Sequence, residues 1–252
     1  MLLSGIMLKM GIYGVLRWLL PVVPEGVVCW GNTTIILSVI GIIYASCIAF
    51  VQKDFKRLIA YSSIAHIGLI SAGVFTLTFQ GLQGSIIQMI SHGINVVGLF
   101  FIVEIISRRL NTTDMDSLGG IRLSAPVFST YFIIILLASI ALPLTNGFVG
   151  EFLLLNGLFQ YNSWIAGFAG LSIILGAVYS LRAYQKISLG EAKPLTSHFA
   201  DLSISEKGVL IPLIIMIFWI GLYPDSLLNI AGPSVEALQK TIDHSFVPVT
   251  IK

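Results

Sequence analysis

Lys9, His66, His92 and Glu151 stand well inside apolar stretches of the chain. A charge at a helix centre costs about 2.5 to 3.5 kcal/mol on insertion scales, so such groups face a protein interior or water and tend to mark ion pathways. An amine, two imidazoles and a carboxylate are the groups from which a proton relay is made. Lys9 lies in Ile6-Met7-Leu8-Lys9-Met10-Gly11, with no acidic residue within a helical turn, so its partner is expected elsewhere. The alternative is that it snorkels to a membrane surface. His66 falls about nine residues into one apolar span and His92 about eight into the next, antiparallel one, which puts both near mid-depth of a ~30 Å hydrocarbon core. Ser62, Ser63, Ser91 and Asn95 are their expected hydrogen-bonding neighbours, and the plainer alternative is two neutral histidines satisfied by other helices. Glu151 follows Asn146-Gly147-Phe148-Val149-Gly150 and is expected in the first turn of a half-helix, where the macrodipole favours an anion and burial opposes it. There the alternative is a helix-capping carboxylate. Lys56, in Lys53-Asp54-Phe55-Lys56-Arg57, is a secondary candidate, read most simply as the solvated end of two helices; Glu104 reads as an ion-pair partner of Arg108 and Arg109.

The elements that carry these residues are membrane spans. Of the 252 residues 56% are hydrophobic and only 10% charged, and the charges cluster between apolar stretches of bilayer-spanning length. The fold class is therefore all-α and polytopic. Hydropathy places spans near 2–20, 33–52, 57–79, 84–106, 126–160, 164–185 and 207–223, about seven in all, within a transmembrane region over 1–228 that is followed by a C-terminal tail over 229–252. The fifth span is too long for one regular crossing, and Leu142-Pro143-Leu144-Thr145-Asn146-Gly147 interrupts it around 143–147. A hairpin there divides the loop Lys and Arg residues eight against five; one broken crossing divides them ten against three, which the positive-inside rule favours. That topology puts the loops at 53–56, 107–125 and 186–206 in the cytoplasm and the tail on the outer side. A Pro/Gly break at membrane depth needs protein or water around its freed backbone groups, and such breaks recur at transport sites.

Other classes are excluded by what the composition lacks. A net charge of +2, with no basic run of five or more, gives no nucleic-acid footprint. Cys29 and Cys47 form no metal-ligand pattern and read as apolar packing, and no glycine-rich phosphate loop follows a strand. No cofactor and no metal are expected.

Four strings carry a resemblance: Leu8-Lys9-Met10-Gly11-Ile12-Tyr13-Gly14-Val15-Leu16-Arg17, Asp54-Phe55-Lys56-Arg57-Leu58-Ile59-Ala60-Tyr61-Ser62-Ser63, Gln88-Met89-Ile90-Ser91-His92-Gly93 and Asn146-Gly147-Phe148-Val149-Gly150-Glu151-Phe152. They resemble the antiporter-like subunits of NADH:quinone oxidoreductase, respiratory complex I, and within them the M-type or subunit-4-type branch. The resemblance covers nearly the whole chain but only the second half of that family's length, so a piece of a longer protein is expected. It implies the second of two inverted repeats, with the break at Pro143. It further implies that Lys9 is a central-axis lysine, His66 and His92 are polar links, and Glu151 is the terminal proton gate, a place where sibling subunits have lysine. The implied activity is proton translocation coupled to electron transfer elsewhere in an oxidoreductase. The implied partners are neighbouring antiporter-like membrane subunits and the lipid bilayer, and the implied location is a bacterial inner membrane. The rivals are a subunit of a multisubunit cation/proton antiporter or membrane-bound hydrogenase, and a structural module that only supports assembly.

Overall fold

The computed structural model describes residues 2–245, their side chains as far as residue 242, so residues 246–252 of the expected tail lie outside the described residues. It is helical nearly throughout. The helices are α1 (Leu3–Val22), α2 (Pro24–Val51), α3 (Phe55–Phe75), α4 (Phe79–Leu110), α5 (Pro126–Ser139), α6 (Asn146–Tyr161), α7 (Ser163–Ser188), α8 (Ile204–Leu222) and α9 (Asp225–Ser245). Among the described residues, α1, α2, α3, α4, α7 and α8 are long and apolar enough to cross a membrane, and α5 is a shorter apolar helix. α2 starts well before residue 33 because Pro24 suits the first helical position, which hydropathy does not register. α3 and α4 begin on side-chain caps: Asp54 accepts from Arg57 N, and Thr78 accepts from Gly81 N. α9 is amphipathic, unlike the spans.

α4 is the ruler of the bundle. Ascending it, Gly81 lies against Gly157, Gly84 against Leu153 and Leu154, Gln88 against Gly150, Ser91 against Asn146, Asn95 against Ala138, and Gly98 against Ile135. The partner numbers fall steadily as the α4 numbers rise. α5 and α6 therefore run one after the other in a single direction along α4, as one interrupted crossing. Glycines permit the approach: a methyl on Gly84 would lie 2.8 Å from Leu153 Cβ and 2.9 Å from Leu154 N.

The same order gathers three loops at one end. Phe55 N donates to Thr113 O at 2.9 Å, Met115 N to Lys53 O at 2.8 Å, and Gly120 N to Leu189 O at 3.0 Å. Lys186 and Lys193 both donate to Asp116, and the bonded Lys186 ammonium holds that exposed carboxyl below the usual carboxylate range. Arg109 reaches Glu206 at 2.6 Å, while the expected Arg108–Glu104 pair forms at 3.2 Å on an exposed helix face. At the opposite end α9 is tied down by Gln239 Nε2 donating to Leu77 O at 3.1 Å and by Gln83 Nε2 donating to Leu228 O at 3.3 Å.

Two apolar clusters fill the interior. One, toward the loops, contains Phe55, Ile59, Ile102, Phe128, Phe132 and Tyr179; the other contains Ile35, Ile42, Leu69, Leu82, Leu154 and Leu158. Each of α3 and α4 passes from one cluster to the other, and His66 of α3 and Gln88, Ser91, His92 and Asn95 of α4 fall at the seam. Cys29 and Cys47 are exposed on α2, a correction to the packing expected of them, because both fall on its outward face.

Candidate functional site

The interruption between α5 and α6 covers residues 140–145. Pro143 offers no N–H, and Ala141 and Leu144 take left-handed φ values of 57° and 75°, which L-residues avoid. The freed backbone is partly tied to α4. Asn95 Nδ2 donates to Ala138 O at 3.0 Å, and Asn146 Nδ2 donates to Ser91 O at 3.3 Å. Gly147 admits the Ala138 carbonyl, which would lie 2.3 Å from a methyl placed there.

α6 then carries Glu151 into the seam. The helix begins at Asn146, so Glu151 lies in its second turn and not the first, and no acidic residue stands in the first turn. This corrects the sequence expectation. The macrodipole acts mainly on the first turn, and the carboxylate caps no backbone; it accepts from side chains instead. His66 Nδ1 stands 3.1 Å from Glu151 Oε1, and Gln88 Nε2 donates to the same oxygen at 3.3 Å. Glu151 is 3% exposed, in a setting where an ionised carboxylate needs such donors.

The two histidines meet. Their ring centroids are 5.1 Å apart with planes inclined at 44°, so the depth argument from two antiparallel spans brings them into contact. His92 is 4% exposed, and neither of its nitrogens has a hydrogen-bond partner among the described residues. The four expected neighbours do not bond to either ring. Ser62 accepts from Tyr179 OH at 2.9 Å, Ser63 donates to Ile59 O at 3.0 Å, Asn95 holds Ala138, and Ser91 Oγ has no partner among the described residues. Hydroxyls on a helix take the carbonyl one turn back when it is available, which sequence spacing alone does not reveal.

Lys9 is 8% exposed and does not snorkel outward. Its ammonium donates to the carbonyl of Ser4, five residues back on its own helix, where Leu3–Met7 winds as a π-turn. That carbonyl is a neutral acceptor and not the acidic partner expected elsewhere. α1 nonetheless reaches the site: Gly5 packs on Gly93, beside His92, and Lys9 lies within electrostatic reach of His92. Lys56 is exposed in the first turn of α3, ten residues or about 15 Å before His66, and the structure does not bring it to the cluster. Gln88 and Tyr179 are the residues that sequence reasoning passed over. For Gln88 a signal existed: it precedes His92 by four residues, hence on the same helix face.

Residues 1–176 match the family model described as NADH:quinone oxidoreductase/Mrp antiporter, TM. NADH-quinone oxidoreductase subunit M of Rickettsia prowazekii (strain Madrid E) is 47% identical over 238 residues, which are 94% of this chain and 48% of that relative. Among solved structures, a chain of respiratory complex I from Thermus thermophilus with bound NADH superposes with a TM-score of 0.89 at 31% identity, over 93% of this chain and 50% of that one. A chain of the Mrp complex from Dietzia sp. DQ12-45-1b gives 0.83 at 18% identity, over 93% and 53%, a likeness of fold alone. The chain thus spans about half the length of the relatives it matches.

Proposed function

The chain belongs to the NADH:quinone oxidoreductase/Mrp antiporter transmembrane family, and from that premise we propose that it forms the second half of a proton-translocating membrane subunit of an NADH:quinone oxidoreductase. The observation that carries the proposal is the contact of His66 Nδ1 with Glu151 Oε1 at 3.1 Å, buried beside a broken helix and backed by the His92 ring. A proton on His66 Nδ1 has the carboxylate as its nearest acceptor, and the His66 and His92 rings are in contact, so the imidazoles can pass protons toward Glu151. Lys9, buried on α1 one turn after the Gly5–Gly93 contact beside His92, is assigned the charge that biases this transfer. Lys56 is assigned no step.

Identity of 47% to a subunit M along nearly the whole chain, against 18% to the Mrp structure, supports the quinone oxidoreductase branch over the cation antiporter. The electrons move elsewhere in the complex, the neighbouring membrane subunits are the partners, and the bilayer is a bacterial inner membrane. The basic loops that bear Lys53, Arg108 and Lys193 lie on its cytoplasmic side and the C-terminal tail on the outer side.

The test is NADH-driven proton uptake by membrane vesicles, normalised to assembled complex. Glu151→Gln keeps the shape and an amide but cannot change charge, so uptake is lost; Glu151→Asp retains part of it. Wild-type uptake by the Gln variant sinks the gate assignment.

A further inference from the structure

Both donors to Glu151 converge on one oxygen. His66 belongs to the proposed relay, whereas Gln88 has been given no role. Its placement is nonetheless tightly constrained. Gln88 is 2% exposed, and Gly150 makes room for it: a methyl on Gly150 would stand 2.3 Å from Gln88 Oε1, 2.8 Å from its Cβ and 2.9 Å from its Cα. The side chain is thus seated at a close approach of α4 and α6. Its Nε2 faces the carboxylate at 3.3 Å, and its Oε1 has no hydrogen-bond partner among the described residues.

A buried carboxyl that changes protonation state changes its bonding needs. Ionised, it only accepts; protonated, it also donates, and a partner suited to one state leaves the other with an unmet bond at a cost. A primary amide carries both functions on one swivel. It does not titrate, so it serves without competing for the proton.

We propose that Gln88 is a positioning residue for Glu151, its amide presenting Nε2 to the ionised carboxylate and, turned about its last side-chain bond, Oε1 to the protonated acid. The inference rests on the proposed function, in which Glu151 changes charge during turnover. The elements packed on α6 are α3, α4, α5, α7 and α8. Of their titratable groups, His66 touches Glu151, His92 stands behind His66, and Tyr179 of α7 lies within electrostatic reach. Lys56, Arg57 and Tyr61 of α3, Glu104, Arg108 and Arg109 of α4, Tyr131 of α5, Arg182, Tyr184 and Lys186 of α7, and Glu206 and Lys207 of α8 are all nearer the loop end in sequence. Among the described residues, His66 is the titratable group that shares the carboxylate with the amide.

The experiment uses the full-length subunit within the assembled complex in membrane vesicles. Gln88→Met keeps the length and removes the amide; Gln88→Asn keeps an amide one methylene short of the carboxylate. Two readouts are taken: the infrared band of the protonated carboxyl that disappears in Glu151→Gln, and the pH profile of NADH-driven proton uptake per complex. The expected result in both variants is a changed band frequency and a profile displaced to higher pH by about one unit, since the anion loses a charge-assisted bond. An unchanged band frequency overturns the assignment of Gln88, whatever the pumping does. A changed band with an unchanged profile upholds Gln88 and instead removes Glu151 from the gate. Failure of both variants to assemble makes Gln88 a packing residue and also overturns the proposal.

Discussion

Gly157 is the position where one added methyl tests the whole arrangement from a distance. It lies six residues beyond Glu151 on α6, about 9 Å along the axis, and touches no ionisable group. A methyl there would stand 2.6 Å from Gly81 N, 2.7 Å from Gly81 Cα and 2.8 Å from Thr78 Oγ1. Ordinary contact begins near 3.4 Å, so α4 and α6 must part by about 0.8 Å, and the obstacle is backbone, which has no rotamer with which to yield. Overpacking of this kind costs about 1–3 kcal/mol. If the parting carries undiminished to Glu151, the 3.3 Å contact with Gln88 opens to about 4 Å, past hydrogen-bond range. Gly157→Ala is therefore expected to lower the amount of assembled complex and, per assembled complex, to lower NADH-driven proton uptake several-fold. Gly167→Ala and Gly208→Ala are the controls. Nothing lies within 4 Å of a methyl at either, and both gain helix propensity of roughly 1 kcal/mol. The reasoning is refuted if Gly157→Ala assembles and pumps as wild type, or if the controls are as damaging as the target.

Two further outcomes are expected. His92→Ala slows pumping more than assembly and His92→Asn loses as much, because asparagine bonds but does not titrate; full pumping by the Asn variant, in the same vesicle assay, would falsify the relay. Single cysteines at Asn111 and Ser197 are labelled by a membrane-impermeant thiol reagent from the cytoplasmic side and one at Lys240 from the other, with Cys29 and Cys47 first replaced by serine; opposite labelling of Asn111 and Ser197 contradicts the single interrupted crossing.

The legible part of this chain was what the bilayer forces. Apolar length, the Pro143 interruption and the lopsided Lys and Arg distribution are all consequences of solvation, and solvation acts residue by residue along a sequence. What stayed hidden depends on helix phase and on the third dimension. The turn that carries Glu151 is set by where α6 begins, and Asn146 and Gly147, which read in the sequence as part of the interruption, are its first helical residues. Ser62 finds its partner 117 residues away in Tyr179, and Lys9 bonds back to Ser4 only because the backbone there is wound to five residues. α9 escaped the hydropathy reading because an amphipathic helix averages its two faces to near neutrality. The histidine pair lies between these cases: antiparallel geometry put two rings at one depth, but only the packing of α3 on α4 turns equal depth into 5.1 Å.

An unbroken helix across residues 140–145 would satisfy its own backbone, whereas here Ala141 and Leu144 each carry about 1–2 kcal/mol of left-handed strain. That cost has to be offset where the break is held. Asn95 takes the Ala138 carbonyl on one side, Asn146 spans to the Ser91 carbonyl on the other, and Gln88 bonds Glu151 beyond it. On α4 these contacts fall at residues 88, 91 and 95, within four residues either side of His92. One helix thus supplies the second imidazole, the amide on the carboxylate and the ties of the broken segment. A shift of α4 along its axis cannot alter one of these without the others, so the distance from His92 to His66 and the bonding of Glu151 are mechanically linked. Coupling of proton position to helix position needs such a shared support, and a set of the same residues dispersed over separate loops would not provide it.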